Sequence, residues 1–475
     1  MQRTREQQQI VETALTGTNM LVKAFAGTGK TTTLVEVAKE LPKTSLYIAF
    51  NKSIADEASG KFPSHVDCRT IHSLAYRSII NSKMKKKLQG FYSFDDIIKD
   101  DIINAMPANN RSIYRKVRVD VVEVIKAFCQ SSYKSIDVFI AHNFPMIDTK
   151  YPIEYWNNLI NEDHPAKITH DVYLKLFHLQ NNVLPYDIIY LDEAQDSTPV
   201  VLDIVLNQKA QIILVGDEYQ SIYEWRGAIN AMANLPSSFK ECYLTESFRF
   251  TQDIADMATS LTSILGNTRK IVGNGIRPDT LSSKAIICRT NVSFLNLLLK
   301  AEAQEEKVFI LGDLKELWSK MYHISDLYFG NKIKYPNKEL AQYKTFADLM
   351  EAGEDMPELS RLVKLTRTLS DGGLTKNISR IKSVIVENPE DAHYTITTAH
   401  KSKGLEWDDV VLDEDMFYVP DGKDTIDVLF TNQTLELLYV AVTRAKYKTT
   451  FGMEIYNIML QATELRKEAQ KRFGI

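Results

Sequence analysis

The stretch Asn19 to Thr33, NMLVKAFAGTGKTTT, limits what this chain can fold into more than any other. An apolar run from Met20 to Ala26 ends in a glycine-rich turn, and a helical pattern starts at Lys30. A strand that turns through glycines straight into a helix aims backbone N–H groups and the positive helix end at one point, which suits an anion. The phosphate-loop pattern asks for Gly, four residues, then Gly-Lys-Ser/Thr. Here Ala24 stands at the first position, and Ala26, Gly27, Thr28, Gly29, Lys30, Thr31 and Thr32 follow. Lys30 is spaced to reach β- and γ-phosphates and Thr31 to hold Mg²⁺. An ordinary glycine-rich turn with a solvated lysine is the competing reading, and the later motifs weigh against it.

Composition narrows the class. A chain of 475 residues, 44% hydrophobic and 25% charged, has material for two to four soluble domains with large cores. No apolar run approaches bilayer length, and the first residues, MQRTREQQQI, lack a signal-peptide core, so no membrane partner is expected. Cys68, Cys129, Cys242 and Cys288 are far apart without metal or redox spacing. Reduced thiols are expected, in the cytoplasm or another reducing intracellular compartment (the host's, for a viral chain). The net charge of −4 means that any nucleic-acid site is a local patch.

The pattern along the chain is α/β, interrupted twice. Thr4 N-caps a helix to Leu15; Thr44–Phe50 and His65–Cys68 read as strands, with helices expected from Asn51 and Arg69. From about 78 to 167 helical periodicity takes over, with two basic clusters: Lys83, Lys85, Lys86, Lys87, and Arg111, Arg115, Lys116, Arg118. A solvated helix face and a nucleic-acid contact both fit these clusters. Strands resume at Asp187–Leu191, Gln211–Gly216 and Glu241–Thr245. A second α/β pattern has strands at Lys284–Cys288, His393–Thr398, Asp409–Leu412 and Tyr447–Gly452. Its helices are expected at Val292–Ala303, Thr434–Ala445 and Tyr456–Phe473, and a charged, mixed stretch over 305–390 reads as a smaller insertion. The expected division is a first domain of 1–77 and 168–246 holding an insertion of 78–167. A second domain of 247–304 and 391–475 holds the insertion of 305–390.

Several motifs carry chemistry. Asp192-Glu193-Ala194-Gln195-Asp196 closes a strand. A phosphate loop needs an acid on a neighbouring strand for Mg²⁺, which suits Asp192, and Glu193 can deprotonate an attacking water. In VGDEYQSIYEWRG, Gln220 is placed to sense a γ-phosphate from the sheet rim. Tyr223 and Trp225 in the same polar loop can stack on bases, although a Tyr-x-Trp pair also serves core packing. Arg249 and Arg444 are candidates to stabilise charge on a γ-phosphate, and surface ion pairing is their plainer use. In TTAHKSKGLEW, small groups before a glycine suit a sugar-phosphate backbone, and Glu406 can accept a ribose hydroxyl.

Taken in order, Gln7, AFAGTGKT, AFNKSIADEA, CRTIHSLAY, DEAQD, VGDEYQSIYEWRGA, LTESFRF, TTAHKSKGLEW and LYVAVTRAK resemble the successive motifs of superfamily 1 DNA helicases of the UvrD/Rep type. FNKSIADEA, FPSHVDCRTIHSLAY and ITHDVYLKLFHLQ also resemble the F-box DNA helicase branch, without its F-box. The resemblance implies two RecA-like P-loop motor domains, each with an inserted subdomain, and an ATP site between them. It makes Gln7 an adenine reader and Phe248 an adenine-stacking ring, and repeats the roles above for Lys30, Thr31, Asp192, Glu193, Gln220, Arg249, Arg444 and Glu406. Tyr223 and Trp225 become stacking groups for single-stranded DNA, while Asn51, Lys52, His72 and His400 fall in motifs lining the DNA groove. Two positions depart from the family pattern. Ala49 stands where a stacking aromatic is common, with Phe50 one residue late, and Thr32 replaces an arginine that often lies against adenine.

The expected function is an ATP- and Mg²⁺-dependent DNA helicase moving 3′ to 5′ on single-stranded DNA and acting at duplex junctions. The alternative is a translocase that displaces bound proteins, such as single-strand-binding or recombinase proteins, with little unwinding. A switch that binds nucleotide without turning it over is a third class, and the second-domain arginines and Gln220 argue against it.

Overall fold

Apolar runs of four to six residues, too short for helices, become parallel strands here, and the amphipathic stretches between them become crossovers. The computed structural model describes residues 3–223, 232, 235–337, 339–341, 343–419, 422–431 and 433–474. The chain forms two units, Met1–Thr245 and Glu246–Ile475.

In the first unit, β1 (Met20–Ala24), β2 (Ser45–Ala49), β3 (Val66–Thr70), β4 (Ile188–Leu191), β5 (Gln211–Gly216) and β6 (Lys240–Leu244) build one sheet. The strand order is β3-β2-β4-β5-β1-β6, and every neighbour pair is parallel. β2 and β4 are wholly buried, as strands covered on both faces must be. One face packs Ile10, Leu34, Val37 and Ala55 against the sheet, and the other packs Ile71, Phe177, Val200 and Ile204. All six C-terminal strand ends therefore share one rim, where Phe25, Phe50, Asp192 and Asp217 follow β1, β2, β4 and β5 directly. The helix expected from Arg69 begins at Ile71, because Arg69 and Thr70 pair with β2 and the Thr70 side chain caps Ser73 N.

The stretch 78–167 is helical, with Ser82–Lys87, Asp100–Ala105, Ala108–Gln130, Ile136–Asn143 and Lys150–Ile160 around a core of its own that includes Ile125, Phe128, Trp156 and Leu159. Helix His170–Leu179 joins this body to the sheet. Its Val172 lies in the insertion core, whereas Tyr173, Leu174 and Phe177 lie in the sheet core. The two basic clusters are each split. Lys87 is buried and its ammonium donates to the carbonyls of Asn158, Leu159 and Asn161 at the end of a helix. Arg118 is buried and donates to Asp100 and to Ile98 O. Both serve the insertion's interior, while Lys85, Lys86, Arg115 and Lys116 are exposed.

In the second unit, β9 (Lys284–Cys288), β10 (Val308–Ile310), β11 (Tyr394–Thr398), β12 (Trp407–Leu412) and β13 (Ala445–Thr450) form a parallel sheet in the order β10-β11-β9-β12-β13. β7 (Glu246–Ser247) and β8 (Val272–Gly273) make a small parallel pair. β10 lies inside the stretch 305–390 that the sequence sets apart as an insertion. Three residues between charged flanks show no period, yet they pair with Tyr394–Ile396. The terminal helix expected over Tyr456–Phe473 is two helices, Met453–Leu460 and Ala462–Phe473.

Among the described residues, the rest of 305–390 packs into a shared core. Trp318, Met321 and Ile324 of helix Lys315–Tyr328, Val363 of Pro357–Asp371 and Ile378 of Leu374–Ser383 share one cluster with Leu295 and Leu298 of Asn291–Ala303 and with Ile396 of β11. Among the described residues no helix is long and apolar enough to cross a membrane, and none of the four cysteines is in a disulfide.

Leu298 is completely buried in this shared cluster. Leu298→Ala should cost about 2–5 kcal/mol. Hydrogen-exchange protection should fall together in Asn291–Ala303, Lys315–Tyr328 and Leu374–Ser383. Loss confined to one of the three would contradict a single core.

Candidate active site

The turn after β1 adopts the backbone its glycines allow. Gly27 and Gly29 are left-handed, at φ +72° and +79°, and Gly29 caps the helix Lys30–Glu40. Thr28 Oγ1 donates to Phe25 O at 2.8 Å and Thr33 Oγ1 to Gly29 O at 2.9 Å, which ties both sides of the turn. Phe25 lies flat on Tyr219, with ring centroids 5.9 Å apart. Gln7 closes a capping box with Thr4, and its Nε2 donates to Thr33 Oγ1 at 3.4 Å. This brings the Gln7 side chain to the loop. Ala26 is buried and Thr32 is exposed.

The acids after β4 face that turn. Lys30 Nζ lies 3.0 Å from Glu193 Oε1. Thr31 Oγ1 donates to Asp192 Oδ2 at 3.3 Å, Tyr47 Oη donates to the same oxygen at 2.5 Å, and Glu193 N donates to Asp192 Oδ1 at 2.8 Å. Burial disfavours the Lys30 ammonium, but the charges of Glu193, Asp192 and Asp217 outweigh it and raise its pKa. Burial raises the Asp192 carboxyl, and the Glu193 charge beside it adds to the shift; Lys30 and the Tyr47 hydroxyl oppose it. Thr31 and Asp192 thus present two hard oxygen donors at one point, a donor set that would suit Mg²⁺.

Glu193 is held in the left-handed region, at φ +50° and ψ +44°, a conformation that costs a non-glycine residue about 1–3 kcal/mol. Gln195 supports it by donating from Nε2 to Glu193 Oε2 at 2.6 Å. Gln195 Oε1 in turn accepts Asp217 N at 3.1 Å. Gly216 makes room for this link, because a Cβ there would lie 2.4 Å from Gln195 Oε1. Asp217 accepts Gln220 Nε2 at 2.7 Å, so Gln220 is positioned from the end of β5. Gln195, Gly216 and Tyr47 are absent from the sequence-based site. Only Gly216, a glycine ending a buried strand before an acid, carries a signal that could have revealed it.

The same rim carries aromatic groups. Tyr223 stacks on Phe50, with centroids 5.8 Å apart and planes 16° from parallel. Phe50 is 43% exposed, whereas Ala49, the position expected to be aromatic, is the buried end of β2. Asn51 caps the helix Lys52–Ser59 through Oδ1, and Lys52 is exposed. His72 lines a cleft of about 550 Å³ with Thr70, Tyr76, Arg77, His170 and Tyr173. Trp225 lies outside the described residues.

In the second unit, Asn274 N donates to Ser247 O at 2.8 Å and Gly275 N to Phe250 O at 2.9 Å. With the β7–β8 pair, these bonds fix the segment around Phe248 and Arg249. Ser247 and Phe250 point inward and Phe248 is 43% exposed. Arg249 Nε donates to Glu406 Oε2 at 2.8 Å and Nη1 to Thr443 O at 3.2 Å, so two residues expected to serve a nucleotide pair with each other. Arg444 is buried; it donates to Val440 O at 2.9 Å, Leu405 O at 3.2 Å and Thr443 Oγ1 at 3.1 Å. His400 is half-buried on the one-turn helix Ala399–Ser402 after β11.

A family described as an AAA domain matches residues 7–226, and a UvrD-like helicase C-terminal domain matches residues 393–450. F-box DNA helicase protein 1 of Schizosaccharomyces pombe is 31% identical over 93% of this chain and 56% of its own length. F-box DNA helicase 1 of Gallus gallus is 29% identical over 97% of this chain and 50% of its own. The chain thus spans about half the length of these two relatives. Gabija protein GajB of Bacillus cereus is 24% identical, over 92% of this chain and 93% of its own length.

A carboxyl whose folded pKa lies above its unfolded value costs stability as pH rises from the unfolded pKa through the folded one. Asp192 is such a group. Asp192→Asn should therefore raise the melting temperature at neutral pH in the absence of nucleotide and metal, with the gain shrinking as pH falls toward the carboxylate range. A variant less stable than the parent at neutral pH would contradict this reading.

Proposed function

We propose that the chain, which is similar to the UvrD-like superfamily 1 helicases, hydrolyses ATP to move along single-stranded DNA and to separate strands at duplex junctions. One observation carries the reading: the glycine turn, Lys30, Thr31, Asp192 and Glu193 converge on the rim that also carries the stacked Phe50–Tyr223 pair. Nucleotide chemistry and an aromatic platform for bases then share one set of strand ends. The names of the F-box relatives support DNA as the substrate.

In this reading the turn 26–29 cradles the phosphates through its N–H groups, and Lys30 leaves Glu193 to meet the β- and γ-phosphates. Thr31 and Asp192 hold Mg²⁺, which when bound neutralises phosphate charge. Glu193, oriented by Gln195, takes the proton from the attacking water. Gln220, hydrogen-bonded to Asp217, senses the γ-phosphate, and Arg249 and Arg444 are the arginines proposed to stabilise its charge. Gln7, Thr32 and Phe248 face the base, and Glu406 faces the ribose. Phe50, Tyr223 and Trp225 stack on unpaired bases, while Asn51, Lys52, His72 and His400 follow the backbone. The motor division is 1–77 with 168–246, and 247–304 with 391–475, amended by the membership of β10 in the second sheet. Movement is 3′ to 5′, as in similar family members.

Glu193→Gln should lower ATP turnover by at least about a hundredfold while nucleotide binding persists. Normal turnover in that variant would overturn the site assignment. Duplexes with a 3′ tail should unwind and those with a 5′ tail should not. Displacement of a bound protein without strand separation would favour the translocase reading instead.

A further inference from the structure

The loop after helix Lys315–Tyr328 is built as a platform. Its backbone is pinned along its length. Asn331 N donates to Asp326 O at 2.8 Å and Lys334 N to Asp326 Oδ2 at 2.9 Å. Asn337 N donates to His323 Nδ1 at 3.0 Å, deep in the fold, where His323 is 1% exposed and Asn337 6%. Burial lowers the His323 pKa, so the ring stays neutral and keeps the lone pair that holds the loop. Ile333 turns inward against the shared core of the unit.

The side chains left outside are of two kinds. Phe329 is 53% exposed and Tyr335 59% exposed. Each ring is backed by another, Phe329 by Tyr328 at 4.9 Å and Tyr335 by Tyr322 at 5.2 Å. Between them in sequence stand Lys332 and Lys334, both exposed, and neither makes an ion pair among the described residues. The Asp326 carboxylate is engaged by the loop backbone, and Glu339 pairs with Lys320 at 2.5 Å. Two exposed rings and two exposed lysines without ion pairs, carried on one pinned loop, match a polyanion with open aromatic faces. A duplex hides those faces, whereas a single strand presents them. A pinned loop also loses little freedom on binding, which favours contact.

We propose that Phe329, Lys332, Lys334 and Tyr335 form a second contact for single-stranded nucleic acid, separate from the Phe50–Tyr223 rim. Bases stack on the two rings and the lysines meet the flanking phosphates. The loop shares its core with the second sheet, so this contact travels with that sheet and not on a swivelling arm. The inference rests on the reading of the chain as a protein that acts on single strands.

The test is binding of fluorescent oligothymidine to the full chain, followed by anisotropy without ATP and repeated with a blunt duplex. The double variant Phe329→Ala with Tyr335→Ala should bind the single strand about tenfold more weakly and the duplex as before. Lys332→Gln with Lys334→Gln changes only exposed side chains and leaves the fold intact. It should make the salt dependence of single-strand binding shallower by about 1.4 in the log–log slope. Unchanged affinity and unchanged slope would overturn the proposal. Because ATP is absent, the two readings fail separately. A protein that binds strands through this loop but shows no DNA-stimulated turnover sinks the motor alone, and a stimulated motor with normal loop variants sinks the loop alone.

Discussion

The structure of the first unit turns on one partly buried charge cluster. Lys30 is balanced by Glu193 at 3.0 Å and by the charges of Asp192 and Asp217. Removing Lys30 would leave three carboxylates uncompensated in a place where that is expensive. The cluster explains why β1, β4 and β5 must lie side by side, since each strand end delivers one part of it. It also explains the left-handed Glu193 and the glycine at 216, which hold a carboxylate and its supporting amide in a geometry the backbone would not choose unaided. Under the proposed roles a triphosphate would take over the work that Glu193 does for Lys30.

The second unit shows the same economy of partners. Arg249 and Glu406 neutralise one another at 2.8 Å, and under the proposed roles a nucleotide separates them, the guanidinium going to phosphate and the carboxylate to ribose. Arg444 has its own carbonyl and hydroxyl partners. The residues proposed to sense nucleotide are therefore held in defined positions before it arrives.

The strand pattern of both sheets was legible because parallel strands buried on two faces read as short apolar runs, and the phosphate-loop spacing is unusual enough to stand out at once. Boundaries were less legible. β10 has three residues and charged flanks, which leaves no period to detect. Arg118 and Lys87 sat in clusters that looked uniformly solvated, and only tertiary contacts show that each closes an internal network. Phe50 was visible as an aromatic one position late, and the structure supplies the reason: Ala49 must end the buried strand, so the exposed place falls to the next residue. Tyr47 could not be found from sequence, since a tyrosine in a buried strand gives no hint that its hydroxyl reaches an acid on the neighbouring strand. Nor could the Arg249–Glu406 pair, whose members lie far apart in sequence.

The most direct test of the central claim is steady-state ATP hydrolysis by the unmodified chain with Mg²⁺, measured with and without oligothymidine. The account predicts slow turnover alone and a rise of at least about tenfold with the single strand, because the hydrolytic cluster and the aromatic rim share the same strand ends. Turnover equally fast with and without DNA would contradict it.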